Sequence, residues 1–171
     1  MSGEGRIAFT GGTHDFTNVQ FLPQGTVTFT SGSITIDNPL PAGVQIEQIR
    51  TGVTFNADQI LNSVDADFGR IEGSGDLTFT GVSRLNQSTI SGTGTINVPE
   101  EAQLDIFSLG ANINRTLENH GTVRVFGGVG GSGTVINHAD GLLQLIPGSS
   151  SAFFNVNRLE NQGVLQKTGT G

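Results

Sequence analysis

The sequence predicts an all-β chain wound as a single-domain parallel β-helix, a β-solenoid with coils of about 20–22 residues. Three observations carry that expectation. A unit Gly-x-Φ-x-Φ, with Φ apolar, recurs as Gly5–Phe9, Gly25–Phe29, Gly75–Phe79, Gly94–Val98, Gly121–Val125 and Gly141–Leu145. A shifted copy (Gly52–Phe55) and a broken one (Gly163–Lys167) complete the series, and the starts fall 19 to 27 residues apart. The composition agrees: 26 of 171 residues are Gly, among many Thr, Val, Ile and Asn, which suits short strands joined by tight turns. Finally, Leu117-Glu118-Asn119-His120-Gly121 returns as Leu159-Glu160-Asn161-Gln162-Gly163, and more loosely as Val135-Ile136-Asn137-His138-Ala139-Asp140-Gly141. Asn and Gly tolerate the left-handed backbone that a corner needs.

Each unit opens with a strand whose first and third residues share a face. Stacking in register would set Phe9, Phe29, Phe55 and Phe79 in one internal column, continued by Val98, Val125 and Leu145. Thr28, Thr54 and Thr78 would then line the outer face. A regular Thr row can match ice, but Ala8, Asn97, Arg124 and Gln144 interrupt this one. Gln20–Leu22, Ser33–Ile36 and Val44–Ile46 supply further short strands, and Asp37–Pro41 a turn. Residues 56–68, with Ile60, Leu61 and Val64, read as a loop or a single helical turn. The Gly127–Gly133 run reads as a flexible bend. Asn119, Asn137 and Asn161 are expected at corresponding corners. About seven coils at roughly 4.8 Å each would make a rod near 35 Å long.

Composition excludes several classes. The net charge is −7 and the pI about 4.7, which disfavours nucleic acid and anionic lipid. Without Cys there is no disulfide, Cys-zinc site or thiol nucleophile. No apolar run is long enough to insert into a membrane as a helix. Both ends fall inside a repeat, so residues 1–171 read as one solenoid domain cut from a longer protein.

The segments Leu117–Val123, Val135–Leu143 and Leu159–Leu165 resemble the Asn-x-Gly-Thr-[Leu/Val] repeats of filamentous-haemagglutinin-like adhesins and autotransporter-type passengers. The resemblance covers the second half well, and the first half only through its Gly-x-Φ-x-Φ units. It implies a right-handed parallel β-helix, an extracellular or cell-surface location, and a role as stalk or adhesin.

Parallel β-helices also carry polysaccharide-cleaving enzymes, which need two carboxylates on one cleft, roughly 5–9.5 Å apart. Asp65 and Asp67, two apart on a strand, are the best pair, with Glu72 and Asp76 close in sequence. Pectinase-like enzymes carry an Asp pair, Gly-His-Gly and Arg-x-Lys. Here there is Asn119-His120-Gly121, no adjacent Asp pair, and a single Lys, Lys167. Asp65, Asp67 and Asp76 also form a weak calcium candidate, echoing an EF-hand loop without its central Gly and terminal Glu. Glu100-Glu101 reads as an exposed turn. His14 stands apart, while His120 and His138 occupy similar corners one coil apart, where two imidazoles could stack within about 5–7 Å and bind a metal. The expected function is therefore non-enzymatic: a structural or adhesive segment without a required cofactor. Its expected partners are host or matrix glycans and further copies of the chain, stacked end to end. The alternative is a carbohydrate-binding or polysaccharide-degrading fragment.

Overall fold

A computed structural model describes residues 5–18, 20–21, 25–42, 44–107, 111–146 and 153–168, and every regular element among them is a β-strand. The first two coils are the long strands β1 (Arg6–Phe16) and β2 (Thr26–Ile36). Each later coil carries three short strands. The third coil has β3 (Gln45–Ile49), β4 (Gly52–Phe55) and β5 (Gln59–Asn62), and the fourth β6 (Asp65–Asp67), β7 (Arg70–Glu72) and β8 (Leu77–Thr80). The fifth has β9 (Val82–Asn86), β10 (Thr89–Ile90) and β11 (Ile96–Val98), and the sixth β12 (Gln103–Phe107), β13 (Ala111–Ile113) and β14 (Leu117–Asn119). The seventh has β15 (Thr122–Val125), β16 (Gly128–Gly130) and β17 (Thr134–Asn137). The eighth has β18 (Leu142–Leu145), β19 (Phe153–Asn155) and β20 (Arg158–Asn161), before β21 (Val164–Lys167) opens the next.

Strands stack in parallel on three faces. The first face runs β3-β6-β9-β12-β15-β18-β21, the second β4-β7-β10-β13-β16-β19, and the third β5-β8-β11-β14-β17-β20. The first two faces form one sheet because β2 crosses the corner unbroken: Thr26–Phe29 pairs with β3, and Ser33–Ile36 with β4. Gly12 and Gly32 turn that corner with φ of 80° and 97°. A side chain on Gly32 would overlap the Gly12 carbonyl of the coil before. The predicted parallel β-solenoid is thus the observed fold. The coil step is more variable than expected, from 17 residues (Gln48 to Asp65) to 25 (Gly128 to Phe153).

The core from β1 to β18 is filled by inward residues of successive strands, among them Phe29, Ile36, Phe55, Leu61, Ile71, Leu77 and Phe79, all fully buried. Burying each such side chain contributes about 1.5–3 kcal/mol. The single Phe column does not form. Phe9 pairs with Phe29 on the first face, but Phe55 pairs with Ile36 on the second and Phe79 with Leu61 on the third. The Gly-x-Φ-x-Φ unit encodes a corner followed by an in-out-in strand, and every corner of a three-sided coil has that requirement.

Other expectations are also corrected. Residues 56–68 hold strands β5 and β6, with Gln59 and Leu61 inward and Ile60 71% exposed. The Gly127–Gly133 run contains β16, with Val129 fully buried. Thr28 is buried beside a register shift in β2, whereas Thr54 and Thr78 face outward. Gln20 and Phe21 are not in a strand, and Leu22 lies outside the described residues. Phe21 instead stacks on Phe16 (4.4 Å) and meets Phe9 edge-on (5.8 Å), an aromatic plug under the first coil.

One corner is tied along the axis by a buried cation. Arg115 donates through Nε to the Gly94 carbonyl and through Nη2 to that of Gly75, reaching across two coils. Burial pulls its pKa down, and the charge of Asp76 opposes that. A Cβ on Gly94 would overlap the guanidinium and the Gly75 carbonyl. Gly94→Ala is therefore expected to destabilise the fold by about 2–4 kcal/mol in urea unfolding. Phe55→Asp, which buries an unpaired charge, is expected to abolish the β-sheet circular dichroism signal.

Candidate functional site

Among the described residues, we single out two outer surfaces that bring polar side chains together. The first follows from the in-register stacking of the first face, where the outward middle residues form a column. Asp65, Arg84, Asp105, Arg124 and Gln144 succeed one another, coil by coil, and Gln166 follows. The charges alternate in sign, so each carboxylate lies between cations or amides instead of like charges. Arg124 grips Asp105 bidentately, Nε to Oδ1 at 2.7 Å and Nη2 to Oδ2 at 2.6 Å. Although it points outward, Asp105 is only 2% exposed. The Gln144 amide donates to Gln166 at 2.9 Å.

Beside this column runs a second one, Asp67, Asn86 and Phe107, with Phe126 stacked on Phe107 at 4.5 Å and 8°. Asn86 donates to Asp67 at 2.7 Å, and Arg50 lies 3.4 Å from the other carboxylate oxygen. The Arg124 guanidinium sits 5.3 Å from the Phe126 ring centre, a cation–π contact. Asp65, Asp67, Arg84, Asn86 and Phe107 line an open cleft of about 370 Å³. A larger groove of about 600 Å³ lies on the third face, between Pro39–Ala42 and the outward residues Ile60, Asn62, Thr78 and Thr80. Gln59 holds its rim, accepting from Leu40 N and donating to Asn38 O.

The second surface is the corner between the third and first faces. Here the three corner asparagines form a ladder: Asn119 Nδ2 donates to Asn137 Oδ1, and Asn137 Nδ2 to Asn161 Oδ1, both at 2.7 Å. Asn119 and Asn137 are fully buried. Just outside the ladder, His120 and His138 stack with ring centres 4.0 Å apart and planes within 8°. His120 Nδ1 lies 3.0 and 3.1 Å from the two carboxylate oxygens of Asp140. The hydrogen bond from His120 is the main cause holding the Asp140 carboxyl below its ordinary range.

The expected calcium residues do not converge. Asp65 and Asp67 project from β6 on the first face, while Asp76 precedes β8 on the third and accepts from the Thr95 amide at 2.6 Å. Glu72 is engaged by Arg70 at 2.6 Å, and Glu100 and Glu101 form an exposed turn. His14 sits at the other end of the solenoid, 4.8 Å from the Phe9 ring. Arg84, Asp105, Phe107, Glu118 and Asp140 were not singled out as site residues from sequence. The alternating sign of the middle residues in Ser83-Arg84-Leu85, Leu104-Asp105-Ile106 and Val123-Arg124-Val125 was the available signal.

No family model, curated protein or solved structure matches this chain.

Two outcomes follow. Asp105→Ala leaves Arg84 and Arg124 facing each other across an empty rung, and should cost about 2–3 kcal/mol by urea unfolding, discounted for the exposure of Arg124. Because the Asp140 pKa is lowered on folding, its stabilisation is present above the unfolded value of about 3.9. It is lost as pH falls through the folded value. The acid limb of a melting-temperature profile should therefore be shallower in Asp140→Asn than in the parent chain.

Proposed function

We propose that this chain is a rigid, non-enzymatic segment of an exported surface protein, acting as a stalk that also presents an adhesive face. The observation that carries the reading is the unbroken parallel stacking from β1 to β21. Hydrogen bonds aligned with the long axis resist both stretching and bending. Polar ladders inside the corner and along the first face add further axial ties. The segments that build the Asn ladder are also those resembling adhesin repeats, which supports a cell-surface setting.

The cleft on the first face favours glycan binding as a specific form of adhesion. Carboxylate, guanidinium and amide groups lie beside the half-buried Phe107 ring, which supplies both hydrogen-bonding partners and an apolar platform for a sugar. Asp65 pairs in register with Arg84, and Asp67 is held by Asn86 and Arg50. Those contacts suit fixed hydrogen-bond acceptors better than a proton-shuttling pair.

The last coil also supports association with a second copy. Leu159 and Leu165 continue inward columns and are 39% and 47% exposed, so a further coil in the same register would cover them.

A glycan array combined with a polysaccharide-degradation screen tests the adhesive reading. Binding without turnover is expected, lost in Asp67→Asn and Phe107→Ala; turnover would contradict the non-enzymatic reading. Light scattering tests the association: mass should rise with concentration in the parent chain and stay monomeric in Leu165→Asp. A concentration-independent monomer in the parent would contradict it.

A further inference from the structure

We propose that the corner between the third and first faces holds a divalent transition-metal ion of the zinc, copper or nickel class. Its ligands are Glu118, His120 and His138, with Asp140 orienting His120. The site is independent of the stalk and glycan readings.

The residues converge because successive coils stack in register. Glu118 faces outward from β14 and His120 follows that strand; His138 follows β17 one coil on. One ligand atom from each of the three lies within 4.8 Å of the others. The backbone beneath them is already fixed, with the His138 amide donating to the Asn119 carbonyl at 2.9 Å and the Asn119–Asn137 side-chain bond adjoining both rings. Little backbone order remains to be gained on binding. His138 Nε2 is the second pointer. It is buried without a hydrogen-bond partner among the described residues, and the Glu118 carboxylate stands 3.7 Å from it. A buried ring nitrogen without a partner is unfavourable, and a metal ion would supply one.

The donor chemistry selects the class of ion. Two imidazoles and a carboxylate suit zinc, copper and nickel, whereas calcium and magnesium prefer oxygen alone. A tetrahedral ion with bonds near 2.0–2.2 Å needs donors roughly 3.3 Å apart. The three side chains must close by about 1.5 Å at most, which rotation of partly exposed side chains provides. Glu118 and His138 side chains are 37% and 27% exposed, and His120 42%, so a coordination position stays open to water. With neutral imidazoles, Glu118 and Asp140 carry two negative charges, which a divalent ion offsets. Asp140 on His120 Nδ1 (3.0 Å) is the carboxylate that commonly orients a ligating ring.

The test titrates Co(II), then Zn(II), into the tag-free, EDTA-treated full chain at pH 7.5. One saturable equivalent per chain is expected, with a visible Co(II) d–d band that Zn(II) displaces and a higher melting temperature with Zn(II). His120→Gln, His138→Gln and Glu118→Gln should each weaken binding at least tenfold. Gln is chosen because Gln162 follows at the same corner position in the next coil, and circular dichroism should confirm unchanged folding. His14→Gln should bind as the parent does. Absence of saturable binding, or binding retained by the His120→Gln/His138→Gln double variant, would overturn the proposal.

Discussion

Each described strand is held by hydrogen bonds to its counterpart one coil away, and the rest of the structure follows from that register. An amide at one coil meets a carbonyl at the previous one, as Arg50 N meets Phe29 O at 2.7 Å and Phe126 N meets Ile106 O at 2.8 Å. Because like positions stack on like positions, each column must be chemically tolerable along its length. Inward columns are mainly apolar, and inward Gln59 and Ser83 hydrogen-bond to backbone groups. Corner columns are glycine or a self-satisfying amide such as the Asn119–Asn137–Asn161 ladder. The outward column from Asp65 to Arg124 on the first face alternates in sign.

The same register explains both candidate surfaces. A residue that is isolated in sequence becomes one rung of a row, so Arg84 and Asp105, 21 residues apart, are neighbours. His120 and His138 come to lie face to face by the same route. The stacking of the backbone and the spacing of the surface groups therefore share one origin. The backbone stack that stiffens the rod also fixes the spacing of whatever its outer face presents.

The fold class was legible because the motif period and the Asn/Gly corners survive in the linear chain. Which face each motif occupies was not. Gly25–Phe29 and Gly75–Phe79 look alike yet sit on the first and third faces, since a corner has the same local chemistry wherever it falls. Ile60, Leu61 and Val64 suggested a helical turn because one outward and two inward residues around a corner imitate helical spacing. Asp65 and Asp67 were legible as a pair on one strand. Their partners were not, because Arg84, Asn86 and Arg50 arrive from neighbouring coils whose lengths vary. The Arg115 tie was invisible for a similar reason: its acceptors are the backbone carbonyls of Gly94 and Gly75, 21 and 40 residues away.

Pulsed electron spin resonance between labels on the outward column of the first face tests this register most directly, and the absence of native Cys makes labelling clean. Labels at Asp65 and Gln144 span four coils, at Asp65 and Gln166 five, and at Gln48 and Gln166 six. At about 4.8 Å per coil, the backbone separations should be about 19, 24 and 29 Å. A linear rise of distance with coil number is the predicted result. Distances that fail to increase in that order would contradict the parallel stacking on which the fold and both surfaces depend.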